Sequence, residues 1–331
     1  MKPFVTSSHP PYYCYFFTTK LLTFSLLYVA FLSTRFLLLP SLPDATTVLA
    51  MLYSTLKRTL VTSAFWVSTL AVPLVLTTTE LGSQFLQNID TSPTSNHGLY
   101  LGLGTVAFSQ FVVILYHSLN LSQKSPKYIQ QSTHEPYSFL SAVLKHLTNL
   151  EGFVLLTTYL SLYWTSQKMP PSYYTYSPSI PWPSVFLSLL TTDFLQYLLH
   201  RFEHVLPSIY KKTHKPHHVY KSPNLFNAFS GSTGDTVLMI LVPLFLTSRL
   251  IDMNVWGYMC FGSLYSTFLT VIHSEVEHCW DEVFKAWGFG TPEMHHYHHR
   301  FFDGNYGHLF MYWDWIGKTA PRNRNMSRKL K

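Results

Sequence analysis

Histidine carries the chemical information in this chain. Of its 17 histidines, five precede residue 200 and twelve lie from His200 to His308. They fall into ordered motifs: His200 and His204 at i, i+4; His214, His217 and His218 as H-x-x-H-H; His273 alone at the end of an apolar run; and His295, His298 and His299 as a second H-x-x-H-H. Side chains three or four residues apart share a helix face, so His200 and His204 can point at one metal. Packing explains nine such residues poorly, because histidine is only moderately suited to cores. The pattern reads as metal binding. A structural zinc takes four ligands and a catalytic zinc three, so nine imidazoles suit two ions rather than one. Imidazole binds Zn, Cu, Fe and Ni, and so many neutral ligands differ from the Glu-x-x-His sites of soluble di-iron bundles. A histidine-rich pair of irons beside a membrane is chemically suited to activating O2 against unactivated C–H bonds.

Other residues group around this set. His278 and His296 are further possible ligands, although His296 falls off the face that His295, His298 and His299 share. Asp193 continues the His200/His204 face back along its helix and is placed to accept the far ring N–H of a ligand histidine. His9, His97, His117, His134 and His146 stand alone and read as packing or surface residues, and His308 as structural.

These motifs need helices to hold them. Ser184–Leu199 reads as a helix that runs into the first pair. Pro216 cannot sit deep in a helix, so His217 and His218 belong to a first turn, with His214 just before it. Val237–Ile251 and Val255–Ile272 read as a helical hairpin, broken near Asp252–Asn254, that enters and leaves a membrane. Upstream, Lys20–Leu39, Leu60–Leu76 (kinked at Pro73) and Leu99–Leu119 meet the requirement of about 20 mostly apolar residues for a span. Gly152–Trp164 is short and reads as half of a re-entrant pair or an interfacial segment.

Composition agrees with a bilayer protein. Hydrophobic residues make up 47% and charged residues 12%, against roughly 25% charged in soluble domains. Aromatics reach 17%, as expected where ring side chains sit at membrane interfaces. The net charge is +7, and the stretch Lys318–Lys331 holds six Lys/Arg without an acidic residue. A basic tail beside apolar spans points to a cytosolic C-terminus. No reading module accompanies it, so nucleic acid is not an expected partner. Cys14, Cys260 and Cys279 are far apart and odd in number, giving neither a disulfide framework nor a thiolate zinc site.

In combination the motifs resemble the fatty acid hydroxylase / sterol desaturase superfamily. His200-Arg201-Phe202-Glu203-His204, followed by Tyr210-Lys211-Lys212-Thr213-His214-Lys215-Pro216-His217-His218, is similar to its H-R-x-x-H … Y-K-x-x-H-K-x-H-H signature. Ile272-His273-Ser274-Glu275 resembles its third element, and His295 through Asn305-Tyr306-Gly307 to Trp313-Asp314 and Thr319 resembles its ending. The Asn-Tyr-Gly ending is closer to the C-5 sterol desaturases than to the methyl sterol oxidases. Asn227–Asp235 lacks the His-Pro that many members carry after the second motif, and Ser274-Glu275-Val276 replaces the Ser-Gly-Tyr of the methyl sterol oxidases.

The resemblance implies two irons (zinc can occupy such a site), held by His200, His204, His214, His217, His218, His273, His295, His298 and His299 on the cytosolic side of the endoplasmic reticulum membrane. It implies O2 as oxidant and electrons from NAD(P)H, usually through cytochrome b5 and its reductase. The implied substrate is a sterol, fatty acid or sphingolipid, hydroxylated or desaturated, with a sterol favoured. Asn305 and Tyr306 would line or buttress the site. The terminal Arg328-Lys329-Leu330-Lys331 resembles a dibasic retrieval signal.

The expected molecule is thus all-α: a multi-pass membrane helical bundle with a cytosol-facing, histidine-rich di-metal region. Residues 1–180 form the N-terminal transmembrane region, 181–320 the catalytic domain and 321–331 the basic tail. Two other classes compete. A membrane zinc hydrolase calls for a glutamate base, as in H-E-x-x-H, which is absent. A metal transporter, sensor or other non-enzymatic binder calls for histidines inside spans or in a repetitive loop, not in motifs flanking spans.

Overall fold

The computed structural model describes residues 45–321 apart from 134 and 178. The expected span Lys20–Leu39, His9, His134, Cys14 and the tail 322–331 lie outside the described residues. The fold is all-helical, with two isolated antiparallel bridges, Tyr128 to Val276 and Phe289 to Phe310, and no strand among the described residues.

The chain begins with α1 (Ala45–Thr69) and α2 (Ala71–Thr78), which meet at an angle of 72°. The kink expected at Pro73 falls one turn earlier. A proline ring clashes with the carbonyl four residues back, here that of Thr69. The Ser263 hydroxyl takes up that carbonyl. After the short α3 (Glu80–Gln87), α4 (His97–Leu121) is a 25-residue apolar helix. Next come α5 (Phe139–Thr148) and α6 (Phe153–Thr165). The segment expected to be re-entrant or interfacial is α6. Taken with α5 it forms a 27-residue stretch, Phe139–Thr165, apolar and long enough to cross.

The histidine-rich half is built on α7 (Trp182–Val205). Its buried face is polar: Ser188, Thr192, Asp193, Gln196, His200 and Glu203 recur at helical spacing. Its exposed face carries Phe186, Leu187, Phe194, Leu198 and Phe202. This arrangement, polar inward and apolar outward, suits a lipid surround, where polar groups must face the bundle interior. The short α8 (Pro207–Lys212) follows. Then α9 (Thr233–Leu250) contains a π-helical turn at Val237–Leu241. Such turns add a residue to the helix and are frequent at functional sites. The helix α10 (Val255–Val271) is almost wholly buried and packs mainly against α4 and α7. The expected membrane-crossing hairpin is not formed as such: α10 follows α9 closely in the chain but packs on α4 and α7, and only α9 is among the candidate spans. Three short helices complete the chain: α11 (Asp281–Ala286), α12 (Pro292–Phe301) and α13 (Tyr312–Ile316).

Among the described residues, three helical stretches are long and apolar enough to cross a membrane, Phe139–Thr165, α4 and α9, and the bent α1/α2 pair passes the same test as a fourth. Asn254 starts α10, its side chain accepting from Gly257 N at 2.9 Å while its amide donates to Ser179 O at 2.8 Å. Asn254→Ala removes both bonds and is expected to cost about 2 kcal/mol, read as a lowered thermal midpoint in detergent.

Candidate metal centre

Nine histidines from four segments converge in the interior. His200, His204, His214, His218 and His298 form one group, and His217, His273, His295 and His299 a second; within each, the candidate ligand atoms lie within 4.8 Å of one another. All are buried except His204, which is half-buried. Each histidine doublet is divided between the groups: His218 joins the first and His217 the second, as do His298 and His299. Successive residues of a helical turn point in different directions, so a doublet serves two centres. On α12, His295 and His299 share a face while His298 turns to the other group.

The tautomers follow from the hydrogen bonds. A carbonyl oxygen only accepts, so an imidazole nitrogen facing one must carry the proton. The Nδ1 atoms of His200, His217, His273 and His298 donate to the carbonyls of Tyr306 (2.8 Å), Ser230 (2.8 Å), Leu269 (2.7 Å) and Gly304 (2.8 Å). His214 Nδ1 meets Asp235 Oδ1 at 2.8 Å. In the four rings bonded to carbonyls Nε2 is left as a bare lone pair. Yet Nε2 of His217 lies 3.3 Å from that of His273. Two lone pairs cannot bond to each other. A cation between them resolves the contact, so the donor set fits metal ions well.

The cluster also favours neutral rings. Burial, then repulsion among neighbouring imidazoles, pushes His200, His214, His273, His295, His298 and His299 well below the ordinary value of 6.5. Burial lowers His204 to about 4.

Surrounding groups hold the ligands in place. Asp193 differs from its expected role. It accepts the backbone N–H groups of His308 (3.2 Å), Leu309 (2.7 Å) and Phe310 (2.8 Å) and the Trp313 indole N–H (3.0 Å), not an imidazole. It sits two helical turns before His200, roughly 10 Å along the axis, beyond reach of that ring. Asp314 grips the same segment from the other side, accepting from Tyr306 N at 2.9 Å and Gly307 N at 2.7 Å. Asp193 and Asp314 thus clamp the loop whose Tyr306 carbonyl orients His200. Asn305, at φ 55°, donates from its side chain to Met294 O at 3.0 Å and ties the loop to α12. The Tyr306 ring lies against His200, His204 and His298, with centroids 5.2 to 5.5 Å away.

His278 and His296 join neither group. Gln130 donates to His296 Nδ1 at 2.9 Å, and His296 Nε2 donates to Ser274 O at 3.0 Å, so both ring nitrogens are engaged. His278 stacks on Trp280 with centroids 4.8 Å apart. His308 lies parallel to His200 at 5.0 Å, outside both groups. Of the solitary histidines, His117 bonds to Glu275 (3.2 Å) and His146 lies near Phe226 O (3.3 Å), as expected of packing residues.

Sequence reasoning missed three acids. Asp235 supports His214, and Glu203 lies 3.8 Å from the same ring. Glu275 binds the third element in place, accepting from Tyr137 Oη (2.6 Å), His117 Nε2 and Leu225 N (3.1 Å). Burial works to raise its carboxyl, but the bonds from His117 and Tyr137 outweigh it and hold it at about 2. A small cavity of about 40 Å³ opens beside the cluster, bounded by His214, His217, His273 and His308 and by Met239, Ile240 and Leu269.

Two outcomes follow. His298→Ala is expected to lower bound metal by about half, since one group keeps its ligands, whereas His296→Ala leaves metal content unchanged; elemental analysis of purified protein reads both. Because the folded-state values of the cluster lie below 6.5, its contribution to stability is full above that pH and is lost as pH falls toward 4. Metal release and a falling thermal midpoint should therefore coincide in that window, with no change above neutrality.

Comparison with known proteins agrees with this geometry. The family described as fatty acid hydroxylase matches residues 185–319. An alternative squalene epoxidase of Phaeodactylum tricornutum is 44% identical over 227 residues, covering 67% of this chain and 65% of that one. A lathosterol oxidase of Mus musculus is 33% identical over 135 residues (40% and 44%), and a Delta(7)-sterol-C5(6)-desaturase of Nicotiana tabacum is 29% identical over 133 residues (40% and 47%). The chain thus spans less than two thirds of the length of each of these relatives. No solved structure matches. Residues 185–319, which carry all nine histidines of the two groups, are thus a fatty acid hydroxylase domain by family match.

Proposed function

We propose that this chain is an O2-dependent oxidoreductase of the membrane that oxidises an isoprenoid lipid of the squalene or sterol class. The observation that carries the reading is the pair of buried histidine groups, with the bare Nε2 atoms of His217 and His273 facing one another at 3.3 Å beside a small recess. His200, His204, His214, His218 and His298 would hold one iron, and His217, His273, His295 and His299 the other. Asp193, Asn305 and Tyr306 would support them, with His278 and His296 left out. When bound, two irons supply the reduction of O2 and the oxidising power to attack a C–H or C=C bond. The relatives' names favour squalene and sterols over fatty acids and sphingolipids as substrates.

The protein's own contribution is placement. The Nδ1 bonds to fixed carbonyls keep each imidazole neutral and aimed inward, as outer partners of metal ligands do. Met239, Ile240 and Leu269 keep the recess dry, which protects a reactive site from water. Electrons would come from NAD(P)H through cytochrome b5 and its reductase, docking on the catalytic domain 181–320 at the cytosolic face. The endoplasmic reticulum membrane is the proposed location, with the 1–180 region embedded and the 321–331 tail cytosolic.

The test is a lipid profile of host cells expressing wild type or His298→Ala. A product present with wild type alone, one oxygen heavier or two hydrogens lighter than squalene or a sterol, is the expected result. Identical profiles for squalene, sterols, sphingoid bases and fatty acids, with both proteins expressed and iron-loaded, would sink the reading.

A further inference from the structure

A second, larger cavity of about 260 Å³ lies between α4, α6, α9 and α10, away from the histidines. Its position relative to the metal centre follows from helix periodicity. On α10, Tyr258, Gly262 and Tyr265 line this cavity. One turn on, Leu269 lines the small recess, and another turn on stands His273 of the second group. These residues recur every three or four positions and so form one stripe. On α9, Leu244 lines the large cavity, and Ile240, one turn before it, lines the recess. Two facing helices thus carry continuous stripes from the cavity to the cluster. From Tyr258 to His273 the path is roughly 22 Å at helical rise.

The chemistry of the walls selects the occupant. No charged residue lines the cavity. Its Thr157 and Ser266 hydroxyls donate to their own helix, at Val154 O (3.0 Å) and Ser263 O (3.3 Å). The Trp164 indole N–H is turned to Ser95 O. Only the hydroxyls of Tyr258 and Tyr265, the latter without a hydrogen-bond partner, could meet a ligand hydroxyl; along the rest of the wall it would forfeit its hydrogen bonds, at a cost of a few kcal/mol. Space is made by glycine: a side chain at Gly102 would meet no atom within 4 Å, and one at Gly262 only Val106 Cγ2 at 3.5 Å.

We propose that this cavity holds the body of the substrate, a long hydrocarbon without a polar head, threaded along α10 so that its reacting carbon reaches the recess at His217 and His273. The assignment rests on the oxidoreductase reading above and names the substrate class for the same site.

Gly102→Leu tests it, because the leucine enters the cavity without a backbone clash. Gly104→Leu is the control: Gly104 is exposed on the same helix, lies off the cavity wall and also has open space before it. Each full-length protein is purified in detergent, incubated with deuterated squalene or deuterated lathosterol, repurified, and its retained lipid measured by mass spectrometry. Wild type and Gly104→Leu are expected to retain squalene, and Gly102→Leu about tenfold less, with metal content equal in all three. Wild type is expected to retain lathosterol, which bears a hydroxyl, less well than squalene. Gly262→Leu serves as the second cavity variant should Gly102→Leu fail to fold. Retention by the cavity variants equal to wild type, or lathosterol held more tightly than squalene, overturns the proposal. Adding reductant and O2 separates the two readings. Squalene retained but never oxidised defeats the oxidoreductase reading and leaves the cavity. Oxidation by Gly102→Leu at the wild-type rate defeats the cavity and leaves the oxidoreductase.

Discussion

The hydrogen bond from an imidazole Nδ1 to a fixed oxygen is the interaction on which the rest of this structure depends. Four such bonds end on backbone carbonyls and a fifth on Asp235. Each aims Nε2 inward; those of His200, His214 and His217 reach Tyr306, Asp235 and Ser230 across the chain, while those of His273 and His298 end nearby on Leu269 and Gly304. Each also places a demand on the fold, because the carbonyl itself must be held still. That demand explains the buried acids around the site. Asp193 and Asp314 grip the 306–310 segment, so the Tyr306 carbonyl stays in reach of His200. Glu275 gathers three donors from separate parts of the chain beside His273. A carboxylate accepting several backbone N–H groups is among the stronger neutral-pH anchors available to a protein interior.

The membrane shapes the same elements from outside. On α7 a polar face turns inward and an aromatic and aliphatic face outward, the reverse of a soluble helix. The buried polar residues can be numerous because each finds a partner inside: Gln196 donates to Met239 O at 2.7 Å, and Thr192 pairs with Thr247 at 2.8 Å. The π-helical turn at Val237–Leu241 supplies that Met239 carbonyl and places Met239 and Ile240 on the wall of the recess.

Much of the site was legible in the sequence because ligand spacing is local. The pair His200/His204 states its shared face directly, and the number of histidines states that two ions are served, whereas the division of each doublet between the groups shows only in the fold. What was not legible depends on contacts between distant segments. Asp193 lies on the ligand-bearing helix, and helical phase alone suggested that it serves a ring; only the folded position of residues 308–310 reveals its true partners. Asp235 lies in a stretch without a motif and reaches His214 across 21 positions. His296 looked like a ligand by type and neighbourhood, yet Gln130, from a loop far upstream, takes its free nitrogen. The apolar spans were readable from length and hydropathy, whereas the bend before Pro73 lay one turn from the residue that causes it.

The division of each histidine doublet between the two groups has a mechanical meaning. His217 and His218 share a peptide bond, as do His298 and His299, so the separation of the two centres is set by covalent geometry at two places. Helices in a bilayer tilt and slide as its thickness fluctuates, and ligands drawn from different helices would drift apart with them. Here both centres ride on the same short turns. The doublets fix the spacing of the two centres, while His200 and His204 on α7 tie one centre, and His273 after α10 ties the other, to a separate helix.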